Sequence, residues 1–273
     1  MKSNNLNICK NGDVVYLTFP KLLKTGIVRH IFSTKKGGVS PAPYGEMNMG
    51  FYTGDSRENV MKNYEILCNC VGIDTSHLVL SRQTHTNNVK VVNKSHCGTG
   101  YTKESFQDID GLITNQSGVA LVTQYADCTP LIFCDPVKKV IATSHSGWRG
   151  TVQEIGKVTI EKMKQEFNCN PADIIACIGP CIHSCCYEVD TPVYNEFKKL
   201  SYLNLDKIFK IKDNGKFMLD MVEANKQILL KSGIKEDNID IADICTQCNC
   251  NTLHSHRATG GKRGTIGVII ELK

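Results

Sequence analysis

A chain of 273 residues that is 41% hydrophobic can bury a core as one large domain or two small ones, which sets aside a disordered or fibrous class. Its net charge of +5 comes from dispersed lysines with no basic run interleaved with aromatics, so nucleic acid is not an expected partner and only a bias toward anionic substrates follows. Fourteen scattered cysteines, polar residues Asn4, Asn5, Lys10, Asn11 and Asp13 inside Met1–Phe19, and no run approaching a membrane span fit reduced thiols in the cytoplasm, not a secreted disulfide scaffold or a membrane protein.

In chain order, the patterning predicts a strand at Val14–Phe19 and a helix at Asn59–Cys70. Strands follow at Leu78–Ser81, Val89–Val92, Val119–Tyr125, Leu131–Cys134 and Val140–Ser144. A helix is predicted over Val152–Phe167, where Val152, Ile155, Thr159, Met163 and Phe167 recur at helical spacing and Thr151 with Glu154 forms a capping-box pattern. The series closes with a strand at Ile174–Ile178, a helix at Met221–Ser232 and a strand at Thr265–Glu271. No internal repeat, low-complexity tract or Pro/Ser-rich linker forces a boundary, so one continuous domain over residues 1–273 is expected, with mixed α/β or α+β architecture.

Three segments place a metal-binding side chain just after a strand-like run: Ser81-Arg82-Gln83-Thr84-His85, Ala126-Asp127-Cys128-Thr129-Pro130 and Ser144-His145-Ser146-Gly147-Trp148-Arg149-Gly150. Two imidazoles and one thiolate suit zinc, and stopping at three protein ligands leaves a coordination position for water, whose pKa zinc lowers to about 7. Asp127 and Gln83 are the expected catalytic neighbours, each placed to hydrogen-bond that water or the substrate. Gly147 and Gly150 allow close backbone approach and Arg149 offers a planar cationic fork, together fitting a phosphate or another oxyanion, with Arg82 as a further cation. The same turn reads equally well as an ordinary strand-to-helix connection, and the spacing of the three ligands matches no short-range metal motif.

The motifs supply what the spacing does not. Phe32-Ser33-Thr34-Lys35-Lys36-Gly37-Gly38-Val39-Ser40, Asn48-Met49-Gly50, Arg82-Gln83-Thr84-His85, Asp110-Gly111-Leu112-Ile113-Thr114, Ala126-Asp127-Cys128-Thr129-Pro130, His145-Ser146-Gly147-Trp148-Arg149-Gly150, Tyr187-Glu188-Val189 and Cys245-Thr246 occur in an order that resembles the bacterial laccase-domain proteins across nearly the whole chain. Names in that family include polyphenol oxidase, purine nucleoside phosphorylase and peptidoglycan editing factor. The resemblance implies that His85, Cys128 and His145 are the metal ligands, and that the fold is a layered sandwich of mixed β-sheets flanked by helices. It further implies phosphorolysis of adenosine, inosine and methylthioadenosine together with adenosine deamination, so the expected partners are nucleosides, inorganic phosphate and a second copy of the chain.

The chain departs from the family at Lys35, Tyr64 and Ser146, and more so at His254-Ser255-His256-Arg257-Ala258-Thr259, where only Arg257 keeps a family arginine and with it a substrate contact. Two alternatives stay open: copper-dependent phenol oxidation, for which one mononuclear His/Cys site is poorly suited, and zinc-dependent hydrolysis of peptidoglycan precursors. Cys245-Thr246-Gln247-Cys248, with Cys250, His254 and His256 close behind, has the spacing of a second metal cluster, but without a second well-spaced pair these residues read as packed thiols and imidazoles. Cys181, Cys185 and Cys186 carry no metal pattern of their own.

Overall fold

The computed structural model covers Met1–Lys273 and contains two six-stranded mixed sheets. The first runs in the order Asn7–Asn11, Val14–Thr18, Val28–Ser33, Ile266–Leu272, Ala120–Tyr125 and Leu78–Val79. The second runs Ile239–Ile241, Ile175–Ile178, Thr129–Asp135, Val140–Ser146, Gly111–Thr114 and Val89–Val91. Most pairs are antiparallel; the parallel ones, such as Leu78–Val79 beside Ala120–Tyr125, lie at the sheet margins.

The central strands are apolar on both faces because both faces are covered. Along Thr129–Asp135, Ile132 and Cys134 join Leu17, Phe32, Leu121 and Val268 in the core between the sheets. Leu131 and Phe133 point the other way, onto Ile155, Ile160 and Met163 of the helix Ile155–Phe167 and onto Leu229 of the helix Met221–Lys231. The outer face of the first sheet, through Ile31, Val122 and Ile269, packs on Val60, Tyr64 and Leu67 of the helix Arg57–Asn69. Alternation at period two thus assigns each strand residue to one of two layers, and the result is helix on sheet on sheet on helix. A small three-stranded sheet (Glu188–Val189, Phe217–Leu219, Phe209–Ile211) with the helix Thr191–Lys198 closes its own cluster around Phe197 and Phe209.

The helix expected over Val152–Phe167 is broken. A short helix spans Trp148–Val152, and the long one begins at Ile155 because Glu154 adopts a left-handed conformation at φ 56°. No capping box forms. Thr151 Oγ1 is turned inward toward Ser146 Oγ at 2.7 Å and the Gly147 carbonyl at 3.0 Å, and the Glu154 carboxylate accepts the Tyr202 hydroxyl. No helix is long and apolar enough to cross a membrane.

Candidate metal centre and its cavity

His145 lies near the end of the strand Val140–Ser146 and is 4% exposed, directly opposite Pro130 in the antiparallel register. That register places Cys128, one residue before the partner strand begins, beside the imidazole. Cys128 also closes the passage from Ala120–Tyr125 in the first sheet to Thr129–Asp135 in the second. His85 arrives from the segment after Ser81–Arg82 in a left-handed conformation at φ 66°, and Asp127 at φ 84° turns the chain into Cys128. Left-handed backbone at two non-glycine residues is uncommon and concentrates where a side chain must be aimed.

The three donors converge. The His85 and His145 ring centroids are 4.8 Å apart, and Cys128 Sγ lies 3.7 Å from His85 Nε2. All three ligating atoms fall within 4.8 Å of one another. Zinc–sulfur and zinc–nitrogen bonds at tetrahedral angles would separate a sulfur from a nitrogen by about 3.6 Å, so the donor set fits a divalent ion.

One carboxylate fixes both histidines. Asp110 Oδ1 accepts His145 Nδ1–H at 2.8 Å and the His85 backbone N–H at 3.0 Å, while its Oδ2 accepts the N–H groups of Thr84 and Thr86 and the Thr86 hydroxyl. With Nδ1 protonated, Nε2 of His145 keeps its lone pair for a cation. Electrostatics reinforces the arrangement: burial opposes ionisation of Cys128, yet His145 and His85 pull its thiol down to about 6. Burial likewise works against a charged His145, but Cys128 and Asp110 raise it. The pair therefore stores opposite charges that a divalent cation can replace.

The centre opens into a cavity of about 430 Å³, within the range of small-ligand sites. Aromatic faces and guanidinium groups share its wall: Arg149 lies 4.4 Å over the Trp148 ring, and Arg257 lies 5.1 Å over Tyr187. Arg263 also lines the cavity; burial lowers its pKa, and its Nε is buried without a partner. Gly147 forms the floor, where an added Cβ would meet His85 Cδ2 at 2.8 Å and Cys128 Sγ at 3.0 Å.

The other expected site residues are distributed unevenly. Gln83 lines the cavity, but its side-chain amide is paired twice with the Gln124 backbone, at 2.8 Å each way. Asp127 also lines it, yet its two oxygens accept the Thr246 hydroxyl at 2.6 Å and the Arg257 N–H at 2.7 Å. Arg82 lies outside the lining, with its guanidinium 5.1 Å over the Tyr52 ring, while Gln83, just past the short strand Ser81–Arg82, turns into the cavity. Gly150 is outside too, packed 3.2 Å from the Thr86 carbonyl as measured from an added Cβ. Asp110, the carboxylate behind the histidines, and Arg263, a cavity cation, are not evident from residue type and spacing alone. Asp110 opens the quoted motif Asp110-Gly111, and that strand-leading acid was the available signal.

Comparison with known proteins places the chain among characterised relatives. The purine nucleoside phosphorylase YlmD of Bacillus subtilis is 34% identical over 244 residues, covering 89% of this chain and 87% of that protein. The adenosine deaminase RL5 of an unknown prokaryotic organism is 30% identical, covering 85% of this chain and 90% of that protein. The crystal structure of Bacillus licheniformis hypothetical protein YfiH superposes with a TM-score of 0.93 at 30% identity, covering 99% of this chain and 100% of that one. Residues 29–273 match the family described as multi-copper polyphenol oxidoreductase laccase, and the chain belongs to that laccase-domain family of nucleoside-processing enzymes.

Proposed function

We propose that the protein is a cytoplasmic, zinc-dependent purine nucleoside phosphorylase acting on adenosine, inosine and methylthioadenosine, with adenosine deaminase activity at the same centre. The observation that carries this reading is the His85–Cys128–His145 cluster opening into a cavity walled by aromatic rings and guanidinium groups. Relatives named purine nucleoside phosphorylase and adenosine deaminase support the two reactions. Two nitrogens and one sulfur favour zinc, which supplies a water acidic enough to be hydroxide at neutral pH when bound.

The remaining chemistry falls to the chain. Trp148 and Tyr187 give the cavity apolar wall for a purine, each with a guanidinium over its ring. Arg149, Arg257 and Arg263 are the cations to hold phosphate against the ribose C1′ while the base departs; the unpartnered Nε of Arg263 supplies a buried donor for an oxyanion. Gly147 lets the substrate approach the metal ligands where no Cβ fits. Asp127 acts as a positioning residue: it anchors the start of the short helix carrying Arg257. Gln83 does the same for the chain at Gln124. Fourteen unpaired cysteines suit a reducing compartment.

The test is product analysis. Purified protein given adenosine and phosphate should yield adenine with ribose 1-phosphate, and inosine with ammonia. Neither set of products at full metal occupancy overturns the reading.

A further inference from the structure

We propose a second metal site in this chain: a tetrahedral, all-thiolate zinc centre formed by Cys185, Cys186, Cys245 and Cys248. Their four sulfurs lie within 4.8 Å of one another, apart from the His/Cys/His centre. Cys185 Sγ is 3.7 Å from Cys186 Sγ and 3.5 Å from Cys248 Sγ, and Cys186 Sγ is 3.4 Å from Cys248 Sγ. Four sulfurs each about 2.3 Å from one zinc ion would stand about 3.8 Å apart at tetrahedral angles. The three separations lie just under that value. They are far longer than the ~2.05 Å of a disulfide, and too short to span the several atoms of an iron–sulfur cluster.

The sequence presents only half of this site as a pattern. Cys245 and Cys248 have the C-x-x-C spacing, and the missing pair is the adjacent Cys185-Cys186, far away in the chain. An isolated parallel bridge between Cys181 and Cys245, with Thr246 N–H donating to the Cys181 carbonyl at 2.9 Å, brings the two segments together. The Asn249 N–H closes the turn onto the Cys245 carbonyl at 3.1 Å, so Cys245 and Cys248 face the same way, and the His183 N–H points at Cys245 Sγ at 3.5 Å. Backbone donors toward a cysteine sulfur are what a thiolate ligand uses to disperse charge. Cys250, His254 and His256 are not members of the cluster; His254 is buried, with Nε2 3.4 Å from the Met47 carbonyl.

All four positions are filled by protein, so the site is closed and its role is structural. What it staples is the cavity wall. Tyr187 follows Cys186 directly, and Thr246, between Cys245 and Cys248, donates to Asp127 beside Cys128. One ion thus ties the Tyr187 wall to the loop that leads into Arg257.

Metal analysis tests this on the full-length protein purified without chelators. About two zinc ions per chain are expected. His85→Ala should lose one and keep the other, whereas the double variant Cys185→Ser/Cys248→Ser should lose the other and keep the first. Cobalt loaded into the His85→Ala protein should show the intense charge-transfer absorption of four thiolates on one ion, absent when Cys248→Ser is added. If the double variant fails to fold, a thiol-specific mercurial titrated into the His85→Ala protein should release its single zinc as the cluster reacts. A His85→Ala protein without bound zinc or a tetrathiolate cobalt spectrum, with these cysteines titrating as free thiols or as disulfides, would overturn the proposal whatever the enzyme's activity.

Discussion

Asp110 Oδ1 stands 2.8 Å from His145 Nδ1 and 3.0 Å from the His85 backbone nitrogen, so a single oxygen orients two of the three proposed metal ligands, which are distant in sequence. Burial alone would raise its pKa, but the bond and charge of His145 and the backbone N–H groups of Thr86 and Thr84 hold the carboxyl below its usual value. Asp110→Ala removes this support from both ligands at once. Zinc affinity at the centre should fall about 10- to 100-fold, as measured by chelator competition. Unchanged affinity would mean that the histidines are positioned by packing alone.

Gly147 gives a sharper steric test. A methyl group there must push the His85 ring aside, because its 2.8 Å contact is shorter than packed atoms show, and it crowds Cys128 Sγ at 3.0 Å. Gly147→Ala should lower zinc affinity on the order of tenfold while the melting temperature of the metal-free protein barely moves. A variant that binds zinc normally but melts early would place the glycine's importance in the fold.

Arg149 offers a test that separates the two proposed reactions. It is exposed over Trp148, so its removal does not disturb the core. Loss of a charged hydrogen bond to phosphate is worth roughly 1.5–3 kcal/mol, so Arg149→Ala should lower phosphorolysis about 10- to 100-fold, mainly through the KM for phosphate. Deamination, which uses no phosphate, should change little. Equal losses in both reactions would assign Arg149 to nucleoside binding.

The acid limit of stability should be set by buried histidines. Burial lowers His30 to about 4 and His254 to about 3, and His30 Nε2 accepts the Phe19 N–H at 2.8 Å, which requires the neutral ring. A depressed folded-state pKa gives stability that is fully present above the unfolded value near 6.5 and is lost as pH falls toward 4. For His30 the loss approaches about 3 kcal/mol. Melting temperatures should decline from pH 6.5 downward, and His30→Gln, which stays neutral and can still accept, should flatten the decline. A flat profile between pH 6.5 and 4.5 in the unmodified protein would contradict this assignment.

Much of this architecture is legible in the chain because its central strands are buried on both faces. Leu131–Cys134 and Val119–Tyr125 form apolar runs whose ends lie within two residues of the observed strands. Val28–Ser33 hides because Arg29 and His30 interrupt its run, although His30 is buried and pairs opposite Ile270. The break at Glu154 was invisible to helical periodicity, which continues through it while Tyr202 binds the carboxylate. The motifs name the three side chains that converge, His85, Cys128 and His145, but Asp110 needs the strand register that brings it beside His145. The four-cysteine cluster is hidden for a similar reason: the bridge between Cys181 and Cys245 brings together pairs that are far apart in sequence.

The most direct test of the central claim is to empty the His85–Cys128–His145 centre with a chelator and refill it while following adenosine conversion with and without phosphate. The account predicts that activity disappears on emptying and returns with zinc, giving adenine only when phosphate is present and inosine in either case, and that Cys128→Ala does not recover. Undiminished conversion by protein lacking metal at this centre, or by Cys128→Ala, would contradict it.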